Sequence, residues 1–365
     1  EVPGASRRTV AACAGAALCL VLGGGLATLQ TDPSLLSYFQ PEQPLRDGLE
    51  YVDRTLGSSP LSLVVTDADG GVFEGREILV RQWELHQKFE AHDSVGGALS
   101  LPILIGEGRR VPILGKLLPL DWIVDLLGRP VLGKVGDGFV TPDRRHAQFM
   151  LTMREKDLER SRLEIVDELR GLARDTGFDT AAVGGLYYLQ GHLGSLVRSS
   201  LLSGISALLV LFFLVGLAAS RSLATSAAMV GSIALVPLAT LGALGLTRTP
   251  IDVISSPASN VCIGMAADAM IHLVLAVRRR AAGGRITWAH WVAARREQAR
   301  PILISAVLVV SGFAIFTMSA FPPTRRFGAA VVFGTLVAAF GALVLLPALA
   351  GPREKTAAEG ADASA

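Results

Sequence analysis

Ser256–Arg280 reads SPASNVCIGMAADAMIHLVLAVRRR. From Val253 to Val277 the run is long enough to cross roughly 30 Å of hydrocarbon as an α-helix. An acid, Asp268, and an imidazole, His272, sit in its middle third, and three arginines close it. Residues four apart share a helix face. Asn260, Gly264, Asp268 and His272 therefore predict a stripe of polar and small groups on an otherwise apolar rod. An acid at mid-bilayer costs roughly 2.5–3.5 kcal/mol on insertion scales and marks a functional site. That reading is preferred to a carboxyl that only hydrogen-bonds a neighbouring helix. His272 is either a relay partner of the acid or a hydrogen-bonded structural histidine. Gly264 is read as packing, because a small residue lets a neighbouring backbone come close. Asn260 is expected to bond across helices.

Working outward, half of the 365 residues are hydrophobic and the net charge is only +2. The chain is expected to be embedded in a membrane, with no surface for nucleic acid. Cys13, Cys19 and Cys262 all lie in apolar stretches, so neither a disulfide framework nor a metal-ligand spacing is visible. No cofactor is expected. The first residue is Glu1, not methionine, and the chain is expected to be a piece of a longer polypeptide.

Uncharged runs predict six spans: Thr9–Leu29, Ser199–Ser220, Ser222–Thr247, Val253–Val277, Pro301–Thr324 and Phe327–Pro352. Thr9–Leu29 follows Arg7 and Arg8 but has no convincing small-residue cleavage site, so it reads as a span and not a signal peptide. Short connections on one side of these spans carry twelve lysines and arginines, against three on the other. The basic side faces the cytoplasm, which puts both ends inside and the region 30–197 outside, in an inner cell membrane. Residues 198–350 form a five-span bundle, with 281–299 as a helix lying in the interface around Trp288 and Trp291. Residues 351–365 read as a disordered tail.

The outer region predicts strands over Leu61–Thr66, Val95–Leu101, Ala147–Met153 and Thr180–Gly184, and helices over Glu74–His92 and Leu158–Thr176. The order is β-α-β followed by β-α-β, a ferredoxin-like α+β domain between spans one and two. An apolar, Gly/Pro/Leu-rich insert over 102–142 separates the halves. It reads as a segment on the membrane surface, as the lining of a route for an apolar ligand, or as a loop packed on the domain.

One span, an outer ferredoxin-like domain and five spans resemble one half of a resistance-nodulation-division (RND) transporter, of the MMPL and sterol-sensing-domain-like exporter type. Leu36–Phe39 (LSYF) and Arg46–Arg54 (RDGLEYVDR) resemble the segment after the first span of such halves. Gly264–Asp268 (GMAAD) with Ile271 and His272 resembles their fourth span. Arg300, Pro301, Ser305 and Phe321–Gly328 (FPPTRRFG) resemble the fifth span and the turn after it, and Leu346–Leu349 (LPAL) the end of the sixth. The similarity runs from about Thr9 to Leu349.

The resemblance implies proton-driven export of lipids or other hydrophobic or amphiphilic molecules, with Asp268 as proton carrier. It also implies a second six-span half. Such helices often place a second acid or a tyrosine after the first Asp; here Ala269 stands there. Ser305 and Thr317 are candidate donors to the carboxylate, although hydroxyls on helices more often bond their own backbone. A non-transporting lipid- or sterol-sensing protein, or a protein-export accessory of the same superfamily, is the alternative. No nucleophile motif or metal-ligand pattern accompanies the Asp–His pair, so an enzyme is not expected.

Overall fold

The computed structural model describes residues 15, 17, 21–31, 34–110, 138–155 and 160–352. Most of the expected first span, the centre of the insert and the tail from 353 lie outside the described residues. The described residues are mostly helical, and among them are five long apolar helices and one four-stranded antiparallel sheet. It divides into two compact units, Asp32–Ser195 and Glu1–Thr31 with Leu196–Ala365.

In the first unit the elements are α1 (Pro44–Leu56), β1 (Ser59–Asp67), α2 (Arg76–Glu90), β2 (Val95–Leu99), α3 (Leu101–Arg110), β3 (Ala147–Met153), α4 (Arg162–Asp175) and β4 (Phe178–Gly184). The strand order is β2-β3-β1-β4, with every neighbouring pair antiparallel. Alternation does the sorting. On β1, Leu61, Leu63 and Val65 turn to the core, where Leu61 opposes Leu151 and Leu63 opposes Phe149. Ile78, Leu85 and Phe89 of α2 and Ile165, Val166 and Leu169 of α4 complete that core. Gly57, at φ 78°, turns the chain from α1 into β1, where a Cβ would stand 2.6 Å from the Thr152 carbonyl oxygen.

Two departures from the sequence reading have local causes. The second strand stops at Leu99, because Leu101 opens α3 and Pro102 sits in that helix's first turn, where a missing N–H loses nothing. The insert thus begins as a helix. Helix α1 was not assigned from the sequence, although Leu45, Leu49, Val52 and Leu56 recur there at helical four-three-four spacing.

The core of this unit also holds charge. Arg162 and Glu155 are both fully buried, with Nη2 3.2 Å from Oε1. Glu155 Oε2 accepts from Ser34 Oγ at 2.8 Å and from the Leu35 N–H at 2.6 Å, while its own N–H donates to Asp53. His86 is buried, with Nδ1 3.0 Å from Ser100 Oγ and Nε2 3.3 Å from Glu90 Oε1. Burial pulls its pKa below the ordinary 6.5, and Glu90 opposes the shift.

The second unit holds most of α5 (Leu186–Ser220), then α6 (Leu223–Leu246), α7 (Ala258–Ala281), α8 (Trp288–Ala314), a 3₁₀ turn (Ile315–Met318), α9 (Pro322–Phe340), a π-helical turn (Gly341–Leu345) and α10 (Leu346–Ala350). The five candidate spans are α5, α6, α7, α8 with its 3₁₀ turn, and Pro322–Ala350. Helices α6, α7 and α9 make the centre, packing Ile233 and Val236 against Cys262, Ala266 and Met270, and these against Val331 and Ala338. Small residues set the approach. A Cβ on Gly334 of α9 would lie 2.5 Å from Cys262 Sγ and 2.8 Å from Thr240 Cγ2. Glycines 242 and 245 of α6 admit the Leu22–Gly25 backbone, where a Cβ on either would collide with a carbonyl. Thr28 Oγ1 donates to the Gly245 carbonyl at 2.9 Å, and the Ile251 N–H to that of Gln30 at 2.8 Å.

Several expected boundaries move. Residues 281–299 do not make a separate interfacial helix ending before Pro301. Helix α8 starts behind a Thr287–His290 capping box and runs unbroken through Pro301, whose ring removes one hydrogen bond without ending the helix. Trp288 and Trp291 are buried against the bundle instead of lying at its surface. Pro322 and Pro323 open α9 and do not close the fifth span, since proline suits a helix's first turn. Helix α7 begins at Ala258, not Val253. The residues before it are tied by Asp252, which accepts from the Ile254 and Ser255 N–H groups and pairs with Arg326 at 3.4 Å.

Candidate proton site

Helices α7, α8 and α9 wall a cleft of about 330 Å³. Met265, Asp268, Ala269 and His272 come from α7. Gln298, Pro301, Ile302, Ser305, Ala306 and Val309 come from α8, and Thr335, Ala338 and Ala339 from α9. His272 Nε2 stands 3.3 Å from Asp268 Oδ1, the contact expected of an i,i+4 pair on one helix. Within this chain the two side chains keep 77% (Asp268) and 63% (His272) of their exposure. The cleft is open, and its walls are apolar apart from the pair and three neutral polar residues.

The four-residue stripe does not stay on one face. At 3.6 residues per turn, each step of four drifts by about 40°, so Asn260 and His272 differ by about 120°. Asn260 accordingly leaves the cleft and approaches α5. Its Nδ2 lies 3.7 Å from where a Cβ on Gly204 would stand, and its Oδ1 is buried without a hydrogen bond. Gly264 is exposed, and a Cβ there would meet nothing within 4 Å. The close backbone approach expected at that glycine is made by no described residue. Close approach occurs instead at Gly334, Gly242 and Gly245, whose neighbours are residues distant in sequence.

Of the two hydroxyl candidates, Ser305 lines the cleft across from the acid. Thr317 does not. It sits in the 3₁₀ turn after α8 and donates to the Ala314 carbonyl at 2.6 Å. Sequence reading missed Gln298 and Thr335. The spacing 298, 302, 305, 309 is a helical face and held the signal for the first of them. It was hidden because residues up to 299 were assigned to a different helix. Gln298 Nε2 lies 3.4 Å from Glu297 Oε1, and Glu297 in turn holds Arg280 at 2.6 Å. Thr335 Oγ1 donates to the Val331 carbonyl at 2.7 Å, which leaves its lone pairs for the cleft.

Chemically, the cleft offers one carboxyl, one imidazole and neutral hydrogen-bonding groups. The described residues hold no group of three or more His, Cys, Asp or Glu side chains close enough to bind a metal ion. The arrangement suits proton exchange between a carboxyl and an imidazole inside a helical bundle.

The MMPL family model matches residues 117–353, nearly two thirds of the chain. Among curated proteins none matches it. With five membrane-length helices and the family match covering the whole cleft, the chain belongs to the MMPL family of RND-type membrane transporters.

Proposed function

We propose that this chain is half of a proton-driven exporter of lipids or other hydrophobic or amphiphilic molecules, with Asp268 as proton carrier and His272 as its relay. The observation that carries this is the pair itself: a carboxylate and an imidazole 3.3 Å apart in a cleft walled by three membrane-length helices. A carboxyl can carry a proton and an imidazole one helical turn away can take it up or return it, so the pair has the chemistry a proton relay needs. Each proton crossing is worth roughly 2.3 kcal/mol per 100 mV. That work moves the bundle only if the charged and neutral forms of Asp268 favour different helix arrangements. Pro237 in α6, Pro301 in α8 and the π-helical turn after α9 are places where the regular backbone hydrogen bonding is already interrupted and such movement costs less.

The open side of the cleft supports the need for a second half. An exposed carboxylate facing lipid is costly, and Gly264 leaves room beside it for another helix. A second six-span half, in the same polypeptide or another copy, would cover this face. In this reading the Asp32–Ser195 unit lies outside the cytoplasm and handles the substrate, while the arginine-rich ends of α7 and α8 face the cytoplasm of a cell-membrane protein.

The test is Asp268→Asn in the full transporter reconstituted in proteoliposomes. The amide keeps size and hydrogen bonding but cannot carry a proton. Gradient-driven export of a lipid probe should vanish while thermal unfolding stays that of the parent. Export that continues at the parent rate would refute the proton role. Indifference in every lipid assay would favour a sensor.

A further inference from the structure

Helix α8 has two opposite stripes, each with spacing four-three-four. Gln298, Ile302, Ser305 and Val309 line the cleft. Arg296, Arg300, Leu303 and Val307, two positions earlier, are turned by about 200° from them. This second stripe is exposed throughout, Leu303 by 50% and Val307 by 62%. Along it an apolar surface gives way to two guanidiniums, Arg300 about 4.5 Å and Arg296 about 10.5 Å along the axis from Leu303. Arg295 flanks them, also exposed. Among the described residues none of these three arginines has an acidic partner within 4 Å. The acid beside them in sequence, Glu297, is held by Arg280 at 2.6 Å and Arg279 at 3.9 Å.

We propose that Arg296 and Arg300 form a site for the headgroup of an anionic phospholipid, whose chains lie along Leu303 and Val307. Charge complementarity and the continuity of the apolar stripe with the arginines select this occupant. Guanidinium forks match phosphate oxygens in paired hydrogen bonds, and a membrane lipid presents its phosphate where its chains end. Arginines gathered at the end of a span also serve membrane orientation. Orientation needs only charge, however, and does not require guanidiniums in line with a lipid-facing stripe. Because the other face of α8 walls the cleft, a lipid held here would steady that wall. This consequence rests on the proton-site reading, whereas binding itself does not.

The experiment is a titration of dansyl-phosphatidylglycerol into the full chain in zwitterionic detergent, read by energy transfer from tryptophan. Trp288 and Trp291 lie about 8 to 18 Å along the helix axis from the two arginines. Saturable binding is expected for the parent. Each arginine near an anionic surface is worth roughly fivefold, so Arg296→Gln with Arg300→Gln should weaken binding about 25-fold. The Arg296→Lys/Arg300→Lys pair keeps charge and orientation while losing the forks, and should fall in between. Unchanged affinity in the glutamine pair would overturn the site and leave the arginines as orientation signals. Equal affinity for dansyl-phosphatidylcholine would overturn it in favour of a face covered by protein or by lipid without selection. Displacement by millimolar inorganic phosphate would overturn the lipid in favour of a free anion. Failure of transport in Asp268→Asn bears on none of these outcomes.

Discussion

Replacing Gly334 by alanine tests how the cleft is held together. The added methyl would stand 2.5 Å from Cys262 Sγ, 2.8 Å from Thr240 Cγ2 and 3.0 Å from Cys262 Cβ. Comfortable carbon contacts are about 3.5–4.0 Å, so α9 must retreat from α6 and α7 by about 1 Å. Overpacking of this kind costs about 1–3 kcal/mol, against which alanine gains up to about 1 kcal/mol in helix propensity over glycine. Gly231 of α6 isolates the second effect, because a Cβ there meets nothing within 4 Å. Gly334→Ala should therefore unfold about 1–3 kcal/mol more easily than Gly231→Ala in the same detergent. Cys262→Ala, which removes the nearest atom, should restore the larger part of the loss. Thr335, the next residue, lines the cleft, so export should fall together with stability and recover with it. If Gly334→Ala proves as stable as Gly231→Ala, and Cys262→Ala changes nothing, the three-helix junction does not exist as described.

The other expectations are separable. Ala306→Phe places a ring in the cleft opposite the acid, and should lower export by more than about tenfold without changing thermal unfolding. Glu155→Ala removes a fully buried carboxylate that pairs with Arg162 and accepts from Ser34 Oγ and the Leu35 N–H. It should destabilise the first unit by about 3–5 kcal/mol in urea, while replacing both residues by methionine should cost much less. His86 is held below its ordinary pKa, so the unfolded chain binds the extra proton. Its contribution is complete above pH 6.5 and is lost as pH falls below it, by up to about 1.4 kcal/mol per pH unit. Urea unfolding of the full chain between pH 7.5 and 5, followed by tryptophan fluorescence, should show that loss, and His86→Gln should flatten it.

Much of the fold was legible locally. Period-two alternation over Ala147–Met153 and helical spacing over Glu74–His92 placed β3 and α2 within about two residues, because each of those segments buries one face on one core. Uncharged runs likewise found the helices that became α5, α6, α7, α8 and α9. Hydropathy failed where it changes without the backbone changing. Gln298 is polar and Pro301 is a breaker on average, yet α8 continues through both. At the outer turn Pro322 and Pro323 look like the end of one span and are the start of the next.

The pairing of Asp268 with His272 followed from sequence alone, since four residues on a helix bring any such pair within reach. Which face that pair shares was decided by tertiary structure. The drift of about 40° per four residues sends Asn260 towards α5 and leaves Asp268 in a cleft whose other walls lie about 30 to 70 residues further along the chain. The sequence marked Gly264 for close contact, but only packing shows that Gly334 is the glycine wedged against Cys262 and Thr240, while a Cβ on Gly264 would meet nothing within 4 Å. Periodicity reports a residue's own helix. What lies opposite it is set by long-range packing that no local pattern encodes.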